Sequence, residues 1–137
     1  MRVSRKQVEE NKQTILTAAG RLFRERGFDA VTVTDIMKSA GLTHGGFYGY
    51  FKSKDDLIAQ TLAELKIESE AADNDVELLI ARYLSPEHRD NFASGCPLAA
   101  LAAETIRQSE SARDEMTARL QQQIAYLSEA INEKNPE

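Results

Sequence analysis

The sequence predicts an all-α protein, and three observations carry that expectation. Its 137 residues hold only three prolines and seven glycines, four of the glycines within 41–49, so long stretches run without a helix breaker. Along those stretches apolar residues recur at three- and four-residue intervals, the period of one helical face. Two of the stretches open with a threonine or serine followed three residues later by an aspartate, Thr32 with Asp35 and Ser53 with Asp56, a pattern that satisfies orphan N–H groups at a helix start.

Taken in order, residues 1–7 form a polar, basic arm expected to be disordered. In 8–26, Ile15, Leu16, Ala19, Leu22 and Phe23 share a face, with Arg21 and Arg24 on the polar side. Gly27 stops this helix and lets Phe28 pack back on Phe23. The stretch that organises the chain follows, TVTDIMKSAGLTHGGFYGYFKSK at 32–54. A helix capped by Thr32 places Val33, Ile36, Met37 and Ala40 on one face, and Gly41 ends it in a left-handed turn with Leu42 folding back. Thr43 is the next natural cap. The helix it opens, 44–51, is too rich in glycine to be chosen for stability, each interior glycine costing roughly 1 kcal/mol relative to alanine. Glycine placed against propensity marks close approach of the backbone to another surface, and DNA is such a surface. Two short helices bent at a glycine therefore read as a DNA-reading helix-turn-helix.

Beyond it, Ser53 caps a fourth helix bearing Leu57, Ile58, Thr61, Leu62 and Leu65, which ties the head to the rest. The acidic stretch 68–75 marks a boundary or bend. Val76, Leu79, Ile80, Tyr83 and Leu84 form a short helix ended before Pro86, and 86–95 is expected to be a loop. A helix opening at 94–97 is so rich in small residues that it is expected to be the close-packed centre of the body. The last helix, 111–133, carries Met116, Leu120, Ile124, Leu127 and Ile131 as its stripe.

The motif at 43–54, with Ile15, Leu16, Ala18, Ala19, Leu22, Phe23, Gly27 and Phe28 upstream, resembles the TetR family of bacterial transcriptional repressors over about sixty residues. The resemblance implies a three-helix DNA-binding head, 8–68, joined by the fourth helix to a helical ligand-binding and dimerisation body, 69–137. It implies a repressor, a homodimer on double-stranded operator DNA, released when an unidentified small-molecule effector changes the spacing of two heads. Family members continue into further helices that form the dimer interface, so the body is expected to be incomplete. Where Gly46 stands, the family often has a threonine or serine that touches phosphate.

The net charge of −5 hides an asymmetry: residues 1–54 hold ten Lys or Arg against five Asp or Glu, and the remaining 83 hold seven against seventeen. A basic head on an acidic body is the footprint of a protein that touches phosphate at one end. No apolar run is long enough to span a membrane or serve as a signal peptide, so a cytoplasmic location is expected. A lone cysteine and two isolated histidines leave no metal site, no cofactor is implied, and no nucleophile–base pairing suggests an enzyme.

The expected DNA contacts are Thr32, Thr43, His44, Gly45, Gly46, Tyr48, Tyr50 and Lys54. His44 is set for a base edge, with phosphate or water as the plainer alternatives. Tyr48 and Tyr50 match family positions that donate to phosphate, although a tyrosine in either place also suits a core; Phe47 and Phe51 plug the head. Lys54 sits in a first helical turn, where N–H groups and the helix dipole already favour an anion. For the effector, a pocket is expected among 76–84, 96–106 and 116–131, with Tyr83, Cys96, Leu101 and Met116 as its residues. Cys96, at a helix N-terminus, reads either as a reactive sensor or as a small space-filling residue. The rival function is a helical protein-interaction module that keeps the head as scaffold and works through its acidic body.

Overall fold

The computed structural model describes residues 3–65 and 75–134, and among them it is helical throughout, without strands. The order is α1 (Arg5–Arg26), α2 (Val33–Ser39), a 3-10 recognition segment (His44–Gly49), α3 (Lys54–Glu64), α4 (Val76–Tyr83), α5 (Pro86–Asp90), a 3-10 turn (Phe92–Ser94), α6 (Pro97–Thr105) and α7 (Glu110–Lys134). The expected boundary between 68 and 69, and most of the acidic stretch before Asp75, lie outside the described residues.

α1 begins three residues earlier than the apolar pattern indicates, because the Ser4 hydroxyl accepts the Gln7 N–H and caps it. Residues 5–7 of the expected disordered arm are thus helix. At its other end Gly27 has φ 83°, its N–H donates to Phe23 O, and Phe28 packs on Phe23 with ring centroids 5.1 Å apart. In α2 the capping box is complete: Thr32 Oγ1 accepts the Asp35 N–H, and Asp35 accepts the Thr32 N–H. The helix ends in a Schellman motif, with Gly41 N–H donating to Lys38 O and Leu42 N–H to Met37 O, which requires the φ of 73° at Gly41.

The head core comprises Ile15, Ala19, Phe23, Phe28, Val31, Ile36, Met37, Phe47, Phe51, Leu57, Ile58 and Leu62, and it runs without a break into Leu101, Ala112 and Met116 of the body. α3 lies against α7, and α1 against both α6 and the 3-10 turn. Two arginines tie these layers by donating to carbonyls that end helices or loops. Arg24 of α1 reaches Gly95 O at 3.0 Å, and Arg119 of α7 reaches Leu62 O at 2.9 Å and also Ala63 O.

The body departs from expectation in three places. The loop at 86–95 contains α5 and a 3-10 turn, because Ser85 caps a helix whose first residue is Pro86, the position where proline is favoured. α6 is not a close-packed centre: only Pro97, Leu101 and Thr105 are buried, and Ile106 is 70% exposed. Its alanines serve helix propensity as much as packing. On α7 the buried positions are Ala112, Met116 and Ala130, whereas Leu120, Ile124 and Ile131 are about half exposed, so the apolar stripe is rotated away from the core.

Because no atom lies within 4 Å of a Cβ built on Gly41, the cost of a side chain there is backbone strain alone. Gly41→Ala is expected to destabilise the chain by about 1–2 kcal/mol, read as a lower midpoint of urea unfolding with an unchanged slope.

Candidate nucleic-acid interface

The recognition segment is held by its ends. Phe47 and Phe51 are buried and stack with centroids 5.7 Å apart, while Tyr48, edge-on to Phe47, is 73% exposed. With three glycines in six residues it forms a 3-10 helix, tighter than the α-helix its role suggests and typical of short pieces. Thr43 stands at its N-cap in extended geometry, but its hydroxyl makes no capping bond; the turn closes through Gly46 N–H to Thr43 O at 3.2 Å. This corrects the expected side-chain cap, and it leaves the exposed Thr43 hydroxyl uncommitted to the helix.

None of Gly45, Gly46 and Gly49 has a positive φ. A Cβ at Gly45 or Gly49 would meet nothing within 4 Å, and one at Gly46 only ordinary contacts to Thr43 Oγ1 and Tyr50 Cε2. Neither backbone geometry nor internal packing accounts for these glycines.

Around the segment the other expected contacts are placed as follows. His44 is exposed and its Nδ1 is 2.9 Å from Thr34 Oγ1, which leaves Nε2 as the nitrogen available to a base edge. Thr32 is exposed; its oxygen accepts the Asp35 N–H, and its hydroxyl also turns to the Asp35 carboxylate. Tyr50 is half-buried, with its hydroxyl 2.9 Å from Asn11 Nδ2. Lys54 does not stand over the start of α3 as a free cation: its ammonium donates to Phe28 O at 2.8 Å, bracing the loop after α1 and leaving two N–H donors. Sequence reasoning missed Thr34, Asn11 and Lys12, whose ammonium lies 5.6 Å from the centroid of Phe51. Their partners are ten to forty positions away, so spacing within one helix could not reveal them.

Two carboxylates fix the start of α2 and the exit from the recognition segment. Asp35 is held below the usual carboxylate range by the Thr32 backbone N–H and then by the Thr32 hydroxyl. Asp56 is held low by the Gln60 amide and then by the Lys52 N–H.

In the body, a cleft of about 340 Å3 is lined by Leu79, Ile80, Tyr83, Leu84, Cys96, Leu98, Gln123 and Leu127. Of the residues expected in an effector pocket, Tyr83 and Cys96 line it; Leu101 and Met116 do not and belong to the core. His88 bridges two of the lining residues: Nδ1 is 2.8 Å from Tyr83 O, and Nε2 accepts the Cys96 N–H at 3.1 Å, so the proton is on Nδ1. Among the described residues no group of three His, Cys, Asp or Glu is arranged to hold a metal, and no helix is long and apolar enough to cross a membrane.

A capped helix, a glycine turn and a second helix standing out from a three-helix core define a helix-turn-helix head, the module that lays its second helix in a major groove. The comparisons agree with this geometry. The family model for bacterial regulatory proteins of the tetR family matches residues 15–61. The chain is 34% identical over 77 residues to the HTH-type transcriptional regulator AcrR of Shigella flexneri, covering 51% of this chain and 36% of AcrR. It is 31% identical over 86 residues to the HTH-type transcriptional repressor BepR of Brucella suis, covering 63% of this chain and 39% of BepR. Among solved structures, a TetR-family regulator from Agrobacterium tumefaciens superposes with a TM-score of 0.76 at 22% identity, over 92% of this chain and 72% of that one. The reduced form of E. coli NemR gives 0.70 at 25% identity, over 92% and 73%. Residues 15–61 thus form a head of the TetR family of bacterial regulators. The chain's matches span well under half the length of these two sequence relatives.

Two outcomes follow from the geometry. Gly45→Ala and Gly49→Ala are expected to leave stability unchanged or raise it by up to about 1 kcal/mol while weakening binding to duplex DNA, measured by thermal unfolding and anisotropy on the same samples. For the carboxylates, folded values below the unfolded ones mean stability that is fully present above the ordinary aspartate value of about 3.9 and is lost as the pH falls through the lowered folded values. Asp35→Asn with Asp56→Asn is expected to flatten the acid limb of a stability-against-pH curve and leave its neutral plateau lower.

Proposed function

We propose that the chain is a TetR-like DNA-binding transcriptional regulator, a repressor that leaves its operator when a small-molecule effector binds. The observation that carries this reading is the recognition segment itself. Three glycines without an internal reason sit beside exposed Tyr48, His44 and Thr43, on the basic end of an otherwise acidic chain. Backbone approach needs the glycines; base edges and phosphates need the polar side chains and the charge. Thr32, Thr43, His44, Gly45, Gly46, Tyr48, Tyr50 and Lys54 form the proposed DNA contacts.

The division into a head, 8–68, and a regulatory body, 69–137, belongs to the same proposal. The cleft bounded by Tyr83 and Cys96 is the proposed effector site, and its mostly aliphatic lining suits a small apolar molecule. The effector acts through a population shift, favouring the arrangement of heads that does not fit two half-sites. That mechanism assigns the working protein a homodimeric state and a place in the cytoplasm. Its partner is a duplex whose half-sites lie about one helical turn apart. The rival reading, an interaction module with an idle head, is disfavoured because the family match falls on the DNA-reading stretch.

The test is fluorescence-anisotropy titration of duplexes from upstream of the coding gene against a scrambled duplex across a salt series. Selective binding that weakens steeply with salt is expected. Equal, salt-insensitive signals on both duplexes would reject the reading.

A further inference from the structure

Tyr50 closes the recognition segment with its ring packed on the core and its hydroxyl 2.9 Å from Asn11 Nδ2, an atom of α1 thirty-nine positions earlier. An amide nitrogen only donates, so the phenol oxygen accepts there. The orientation of the Asn11 amide is set from behind. Gln7 Nε2 donates to Asn11 Oδ1 at 2.9 Å, and the Gln7 backbone N–H is in turn held by the Ser4 cap at 3.1 Å. Donors thus run one way, from Gln7 through Asn11 to Tyr50. A phenolic O–H prefers the plane of its ring and has two positions in it; with the Asn11 donor occupying one side, the proton takes the other.

We propose that Asn11 is a positioning residue for DNA binding, aiming the Tyr50 O–H at a backbone phosphate. The inference rests on the DNA-binding reading above and adds a residue of α1 that lies outside both helices of the reading unit. Its chemistry is that of any donor to an anionic oxygen: the bond is charge-assisted and roughly twice as strong as a neutral one. It is worth most when the donor is already directed, because no competing bond within the protein has to be broken first. With Gly46 offering no hydroxyl, an aimed phenol supplies a contact of that kind from the far end of the same segment.

The experiment is a double-mutant cycle. Wild-type chain, Asn11→Asp, Tyr50→Phe and the double variant are titrated against a fluorescein-labelled duplex of mixed sequence, since phosphate contacts do not depend on sequence. Asn11→Asp keeps the shape but offers Tyr50 only acceptors, so the phenol turns its proton inward. It is expected to weaken binding about tenfold, the loss of one charge-assisted bond. In the Tyr50→Phe background the same change should cost only the small repulsion between its new charge and DNA, about twofold, and thermal unfolding should show all four proteins folded. Equal losses in both backgrounds would overturn the inference and leave the DNA reading standing. A wild-type chain that binds no duplex even at low salt would overturn both.

Discussion

The side chain of Phe47 is the fixed point on which the reading end of the molecule depends. It is fully buried in a segment whose other members are mostly glycine or exposed polar residues. Three glycines cost roughly 2–3 kcal/mol of helix propensity relative to alanine. Burying Phe47 and Phe51 returns about 1.5–3 kcal/mol each, so tertiary packing outweighs local preference by a small margin. The segment exists as a helix because the head core holds it.

The same core couples the head to the body. Arg24 leaves the polar face of α1 to donate to Gly95 O, next to Cys96 at the body cleft, and Arg119 brings α7 to the last turn of α3. Burial, then the neighbouring Arg21, presses the Arg24 pKa down, yet a guanidinium remains charged at any physiological pH. A charge held half-buried on a carbonyl adds direction to an interface that is otherwise apolar.

Much of this was legible in the residues because it was local. The capping pairs at Thr32 and Ser53, the left-handed stop at Gly41 and the stack of Phe28 on Phe23 all involve partners within five positions. The 3.6 period located every long helix to within a few residues. What escaped notice needed a second element. Asn11 meets Tyr50, Thr34 meets His44, Lys54 turns to Phe28 O, and none of these pairings leaves a trace in spacing. The body was read less well for another reason. Alanine-rich α6 and the stripe of α7 have the composition of buried helices, and composition does not say which of several apolar faces meets the core. Pro86 was read only as a stop, although proline also begins helices when a serine precedes it.

Within the recognition segment the residues that hold it in place, Phe47 and Phe51, point inward, and those that face outward, His44 and Tyr48, touch little of the fold. Substitutions at the outward positions are therefore nearly free of folding consequences. The chemistry of the outward face is thus uncoupled from the packing of the core, and this surface can be altered without passing through an unstable intermediate.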